Sequence, residues 1–453
     1  MLYKPSYMVG PYRVSPHPKA PLFDDPSQAS ILFPQAVSEL TSSTSGSGKS
    51  SFDLIRQLGL VSLYFFVNGF LRPFGPYEGL DDPLSLDMMN FRQDDCCLEP
   101  GAKSAMFMPR GFSKSRTFTH GPDTWDLIRD PDEAILIVNA IDEKAHEFLH
   151  QISANFTSNE AIPFFYPEYV PSKDNGGLST QKILVLPNRT VSSVEPSVKA
   201  LGMTGASEGG HYSLISIDDL VGLDALDSNR QATVVMETAK KWFRTNTRAL
   251  RRTNASRVLT AATRYAVDDC YQDIYESCKQ VRGWTQGDLQ PAEDGEWTVY
   301  YRLVEENGTY LRPQVMDSKA LAKLMREDYW SAMCNYYNSP QKAGLAEFAQ
   351  NEVLPCSLLE DDETHELWIR RDDPNGLLGS CNVMVVTDLA ATDRNMNAKT
   401  CRTAIEVWAK DAQDRCYLIW ARVGFFSIFE SFDHIFHAHQ ILRGIPQGTI
   451  IET

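Results

Sequence analysis

No stretch of this 453-residue sequence is long and apolar enough to span a bilayer. The most apolar run, Leu58 to Leu71, is short and carries Asn68, which predicts a buried helix. Met1 to Gly10 mixes Lys4 with tyrosines and lacks the apolar stretch and small-residue cleavage site of a secretory leader. Cysteine is sparse: the nine thiols form no CxxC pair and have no histidines at zinc-finger spacing, so they read as reduced thiols in a cytoplasm. Positive charge is not in excess either. The 43 basic against 59 acidic residues give a formal net charge of -16, which opposes nonspecific attraction to nucleic acid and confines any DNA contact to a local patch.

What is present is a globular composition, 43% hydrophobic and 23% charged, over a length that suits two domains. Residues 1–60 are rich in Pro, Ser and Gly as far as TSSTSGSGKSS and read as a flexible N-terminal arm. Strands are predicted at Ser104 to Met108, Ala134 to Asn139, Ile183 to Leu186, Leu214 to Ile217 and Val258 to Ala261. Glu143 to Phe156, with apolar positions three and four apart, predicts a helix. Strands separated by helices imply a parallel sheet, assigned to 61–290. WTVYYRLVEENGTYLRP reads as two strands around a Glu-Asn-Gly turn and Ser318 to Tyr336 as a helix, within a subdomain or linker, 291–374. Residues 375–453 carry the strands NVMVVTD, TAIEVWAKD and RCYLIWARV, a helix from Ser431 to Arg443 and the strand GTIIET. Three strands, a helix and a fourth strand is the opening order of an RNase H-like sheet.

Two strings compete for the phosphate-binding loop GxxxxGK[ST], which uses backbone amides and a helix N-terminus to hold phosphate oxygens. Ser43 to Ser50 nearly matches, but no buried strand precedes it and a Ser/Gly arm makes such strings by chance. MPRGFSKS, from Met108 to Ser115, has Met108 and Ser113 in place of the two glycines. Its context is better: an apolar strand runs in, and Ser115 to Ile128 suits an outgoing helix. Further on, HYSLISIDDLVG is an apolar strand ending in Asp218 and Asp219. Carboxylates at a strand's C-terminal end suit a magnesium-bound nucleotide, one on the ion's water shell and one orienting the attacking water. Lys240 to Arg257 holds seven basic residues and no acid, and Lys241, Arg244, Arg248 and Arg251 share one helical face, a candidate contact for DNA or a neighbouring subunit.

On these residues the chain resembles the large subunits of tailed-bacteriophage terminases. That family carries a deviant phosphate loop, PRGxxKS, matched by Pro109, Arg110, Gly111, Lys114 and Ser115, with Phe112 and Ser113 at the variable positions. Thr263 and Arg264, in VLTAATRYAVDD, resemble its coupling motif GTRY, with Ala262 for the glycine. The resemblance spans roughly residues 80 to 453 and implies a P-loop ATPase domain of the ASCE type followed by an RNase H-like nuclease domain. It implies ATP and Mg2+ as cofactors: Lys114 reaching the β and γ phosphates, Ser115 and Asp218 holding the metal, and Asp219, where the family commonly has Glu, as catalytic base. Arg110 would be an ATP-sensing or finger arginine, and Thr263 would sense the γ-phosphate. The implied partners are double-stranded DNA, the portal of a procapsid, a small terminase subunit and copies of the chain in a pentameric ring; no membrane is implied. The place is the host cell cytoplasm, with transient docking on the procapsid and no presence in the mature virion.

For the nuclease, Asp388 ends the first strand in a DLA context and Glu452 ends the fourth in IIET; the topology pairs them, and the family's two Mg2+ or Mn2+ ions would sit there. A third acid is expected in the family on a later helix, so the domain reads as partial, either truncated or completed by a separate polypeptide; Asp393 reads as a loop acid. His434, His437 and His439 lack an acid or cysteine at ligand spacing and read as ordinary helix residues. Two other readings follow from the same residues. One is a helicase-like, DNA-dependent ATPase. The other is a catalytically weakened structural adaptor, for which the replaced glycines at 108, 113 and 262 speak.

Overall fold

The computed structural model describes residues 5–41, 49–72, 77, 79–191, 193–203, 205, 210–222, 229–266, 269–285, 289–340, 358–369, 377–388, 403–413, 415–424, 426–443, 445 and 448–452. The chain divides into two compact units, Met1–Ala346 and Glu347–Thr453.

The first unit opens with an antiparallel hairpin, β1 (Tyr7–Val9) and β2 (Tyr12–Val14), turning at Gly10 with φ 60°. A helix, Pro26–Thr41, follows. These residues correct the expectation of a flexible arm over 1–60. Val14, Phe23, Ala29, Phe33 and Ala36 are buried in the main core, and the Phe33 ring packs against Tyr12 at 5.6 Å and Phe65 at 5.2 Å. Ala29, Phe33 and Ala36 fall on one helical face; the surrounding Pro and Ser residues dilute that signal in the composition. The apolar run beyond breaks at Ser62 into two helical stretches, Phe52–Val61 and Leu63–Leu71, bent by 117°. Leu58, Val61, Leu63, Phe66 and Phe70 are all buried within the protein, as a core helix requires. Among the described residues no single helix is long and apolar enough to cross a membrane.

A nine-stranded sheet organises this unit: β3 (Lys103–Phe107), β4 (Ile135–Asn139), β5 (Leu178–Ser179), β6 (Ile183–Val185), β7 (Val198–Gly202), β8 (Leu214–Asp218), β9 (Arg257–Ala262), β10 (Cys278–Gly283) and β11 (Trp297–Tyr301). Their order is β10-β11-β3-β9-β8-β4-β7-β6-β5. The seven strands from β10 to β7 run parallel, and β6 and β5 add antiparallel at the edge. Alternate side chains enter two different cores: Met106, Ile137 and Leu259 face one, while Phe107, Val138 and Val258 face the other. Burial on both faces is why these strands read as continuous apolar runs. β9 sits between β3 and β8, so the strand leading into MPRGFSKS and the strand ending in Asp218 are separated by the one that leads to Thr263.

WTVYY was expected to pair with its neighbour in sequence. It instead forms β11, which inserts in parallel between β10 and β3. The hairpin at the Glu-Asn-Gly turn is shorter and separate, β12 (Glu305–Glu306) with β13 (Thr309–Tyr310), and Asn307 and Gly308 take left-handed backbone at φ 51° and 78°. The large sheet therefore extends to Tyr301, past the expected boundary at 290. The expected helix from Ser318 to Tyr336 is two helices, Ser318–Glu327 and Tyr329–Tyr337, each N-capped by an aspartate, Asp317 and Asp328.

The second unit carries a small hairpin, β14 (Leu359–Glu360) with β15 (Leu367–Trp368), and a four-stranded sheet. That sheet comprises β16 (Asn382–Asp388), β17 (Thr403–Lys410), β18 (Cys416–Gly424) and β19 (Gly448–Glu452) in the order β18-β17-β16-β19. The first three pair antiparallel and β19 lies parallel to β16. The helix Ile428–Ile441, started by a capping box between Ser427 and Glu430, covers one face, with Ile435 and Ala438 in the same core as Val383, Val385, Ile405 and Val407. This is the order expected of an RNase H-like sheet.

Candidate functional site

Parallel strands place their C-terminal ends on one side, where loops can converge on a ligand. β3 ends at Phe107, and residues 108–114 then make a tight loop in which Gly111 has φ 83° and Ser113 has φ 66°. Left-handed backbone costs a non-glycine residue roughly 1–2 kcal/mol. Ser113 thus adopts the conformation that the missing glycine of the phosphate loop would take freely. The chain leaves through a wide helical turn, Ser115–Thr119, continuing into the helix His120–Arg129.

Lys114 is nearly buried, and its ammonium donates to Thr263 Oγ1 at 2.6 Å and to Asp219 Oδ1 at 2.9 Å. The Thr263 N–H donates to the same carboxylate oxygen at 3.1 Å, and Asp219 itself has φ 44°. Three residues from the ends of three adjacent strands therefore share one hydrogen-bonded cluster. Asp218 beside them is buried; its Oδ2 accepts from Thr119 Oγ1 at 2.9 Å, and its carbonyl accepts from Asn139 Nδ2 at 2.6 Å. Burial, and then repulsion from Asp219, push the Asp218 carboxyl up to about 7, against the pull of Lys114 and the hydroxyls of Ser115 and Thr119.

Among the described residues, no protein acceptor is found for the backbone N–H groups of Gly111, Ser113, Lys114 and Ser115. Unpaired amides in a loop beside a lysine suit phosphate oxygens. The Ser115 hydroxyl and the Asp218 carboxylate are hard oxygen donors that suit Mg2+, an ion that keeps several waters and takes the rest of its ligands from phosphates. The site therefore fits a magnesium nucleotide.

No protein-family model and no curated protein matches the sequence. Several solved structures are similar in fold, among them these three. The HK97 bacteriophage large terminase shares 10% identity at a TM-score of 0.32, over 82% of this chain and 69% of that one. A large terminase from a thermophilic bacteriophage, in complex with ATP-gamma-S, shares 8% at 0.31 over 81% and 76%. The ATPase domain of a Thermus phage large terminase shares 10% at 0.30 over 53% and 88%. Likeness at this level carries no functional inference.

Thr119 and Asn139 were missed in the sequence. Asn139 ends β4 on the same side of the sheet as Asp218, and Thr119 lies four residues after Ser115, so both had a positional signal. Arg110 is exposed; its backbone N–H donates to the Asn335 carbonyl at 2.8 Å, and its side chain lies beside the Tyr265 phenol. Arg264 is buried, paired with Asp269 at 3.2 Å and stacked on Tyr275 at 4.2 Å. The string Ser43 to Ser50 lies, up to Gly48, outside the described residues.

The basic face is rearranged. The helix Asn229–Ala249 carries Lys241, Arg244 and Arg248, all exposed, but Arg251 lies past its end and forms an isolated bridge with Tyr212. Arg244 is held bidentate by Asp273 at 2.6 and 2.7 Å. Arg248 and Arg251 instead line a cleft of about 610 Å³ with Lys103, Arg252, Thr253, Asn254 and Glu296. Arg252 belongs to the same basic stretch but not to the expected face, and Lys103, from β3, was not anticipated.

In the second unit, the parallel register of β16 and β19 sets Asp388 directly opposite Glu452. Asp393 lies outside the described residues. Among the described residues no group of three or more His, Cys, Asp or Glu side chains is close enough to share a metal ion. Two acids alone do not make up the donor set of a two-metal centre. His434 packs on Phe426 at 4.5 Å, and His439 meets Thr449 Oγ1 at 3.0 Å, as ordinary side chains of the helix.

Proposed function

We propose that the chain is an ATP-hydrolysing motor of the large-terminase type. The observation that carries this reading is the cluster of Lys114, Asp219 and Thr263 beside a loop of unpartnered amides. Lys114 exchanges the Asp219 carboxylate for β and γ phosphate oxygens when nucleotide binds. Asp219, released, orients the water that attacks the γ-phosphorus; the bond to the β–γ bridging oxygen breaks, and ADP and phosphate leave. Ser115 and Asp218 would hold Mg2+, which would supply neutralising charge for the phosphates. Thr263 touches both Lys114 and Asp219, which suits it to register loss of the γ-phosphate. Arg110, exposed at the loop, suits contact with the nucleotide or with a neighbouring copy.

The motor would move double-stranded DNA into a procapsid, as a ring of copies on the portal, with a small terminase subunit as partner, in the host cytoplasm. Its DNA contact would be the cleft of Lys103, Arg248, Arg251 and Arg252, whose local positive charge stands out against the acidic whole. Asp388 and Glu452 would belong to the nuclease that cuts the DNA, with further donors needed for its metals. ATP turnover by wild type and Lys114→Ala, with and without double-stranded DNA, tests the core of this reading. Turnover that DNA stimulates and the variant lacks supports it; turnover undiminished in Lys114→Ala sinks it.

A further inference from the structure

The phosphate loop holds Ser113 at φ 66°, a conformation its sequence does not favour, and one buried side chain from another part of the chain grips it there. Arg312 lies between the β12–β13 hairpin and the helix Ser318–Glu327 and is 4% exposed. Its Nη1 donates to the Phe112 carbonyl at 3.0 Å and reaches Ser113 Oγ at 3.5 Å. Its Nη2 donates to Asp82 Oδ2 at 2.7 Å. Asp82 in turn N-caps the helix Pro83–Arg92, accepting the Ser85 N–H at 2.8 Å. The guanidinium makes these contacts through two nitrogens held in one rigid plane, a geometry an ammonium lacks.

We propose that Arg312 is a positioning residue for nucleotide binding: it clamps the Phe112–Ser113 peptide so that a serine keeps the left-handed turn of the phosphate loop. The inference rests on the nucleotide reading of that loop. A glycine loop adopts the turn without help, whereas this loop with serine needs an external hold that ties the Phe112 carbonyl to the capped start of a neighbouring helix. The clamp keeps the amides of Ser113, Lys114 and Ser115 directed at the phosphates, although Arg312 touches no nucleotide itself. It also accounts for a buried arginine whose most distant partner lies 230 residues away in the sequence.

The test is a double-variant cycle read by ATP affinity in the presence of Mg2+, with thermal midpoints measured alongside. Arg312→Ala is expected to weaken ATP binding at least tenfold. Adding Ser113→Gly is expected to restore most of that loss, because glycine holds the turn unaided. Arg312→Lys keeps charge and bulk should the alanine variant fail to fold; it is expected to lose affinity in the same direction and to be rescued in the same way. A folded Arg312 variant that binds ATP like wild type overturns the proposal, as does a weakened one that Ser113→Gly leaves weak. Absence of ATP binding in wild type overturns the nucleotide reading as well, and so separates the two failures.

Discussion

Lys114 and Asp219 form an ion pair at 2.9 Å although 105 residues separate them in the chain. The pair exists because β3 and β8 flank β9 and all three run parallel, which brings the loop after one strand to the carboxylate after another. Thr263 closes the triangle from the strand between them.

This triangle separates binding from chemistry. Lys114→Ala is expected to abolish ATP binding, whereas Asp219→Asn should keep binding and lower kcat by roughly 10²–10⁴-fold, the usual range for loss of a general base. Equilibrium binding and single-turnover hydrolysis, measured on both variants, check this. Equal loss of binding in both would mean that Asp219 serves only to build the loop.

Asp218 gives a pH signature. Its carboxyl is raised to about 7 in the fold, above its ordinary 3.8, so the folded state holds the proton more tightly than the unfolded chain. The stability it supports is complete below about pH 4, declines as the pH rises towards 7, and is level above that. Asp123 is raised to about 7 by burial as well, so the comparison must be with Asp218→Asn. Urea unfolding at pH 5 and pH 8 should show the variant gaining on wild type at the higher pH. A pH-independent difference would rule this out.

Ser113→Gly alone is expected to stabilise the protein by about 0.5–1 kcal/mol: relief of roughly 1–2 kcal/mol of left-handed strain exceeds the greater flexibility of glycine in the unfolded chain. The urea midpoint reads this. Destabilisation would mean that the serine hydroxyl contributes more than its backbone costs.

Phe33→Ala reports whether the N-terminal segment belongs to the core. The ring is 2% exposed among Tyr12, Phe23 and Phe65, so truncation should cost roughly 3–5 kcal/mol, against nearly nothing for a flexible arm. Chemical denaturation of the full chain decides between these.

The basic cleft predicts a salt effect. Arg248→Ala should weaken DNA binding and reduce the slope of log K against log salt by about 0.9, one phosphate contact. Arg244→Ala, whose guanidinium is already committed to Asp273, should change that slope little.

Local features could be read from the residues alone. Five strands, the convergence of the 108–115 loop, the paired acids and Thr263, and the register of Asp388 with Glu452 were all legible, because strand periodicity and short motifs depend on neighbours in the chain. The remaining features depend on contacts between distant parts of the chain. WTVYY joined the large sheet because a buried parallel slot beside β3 offered full backbone pairing on both of its edges, which no local pattern announces. The N-terminal segment left its apparent flexibility because a few aromatics, unremarkable in a Pro- and Ser-rich stretch, found a core made by distant helices. Arg312 and Lys103 acquired their places through contacts across hundreds of residues, where distance in sequence carries no information about distance in space.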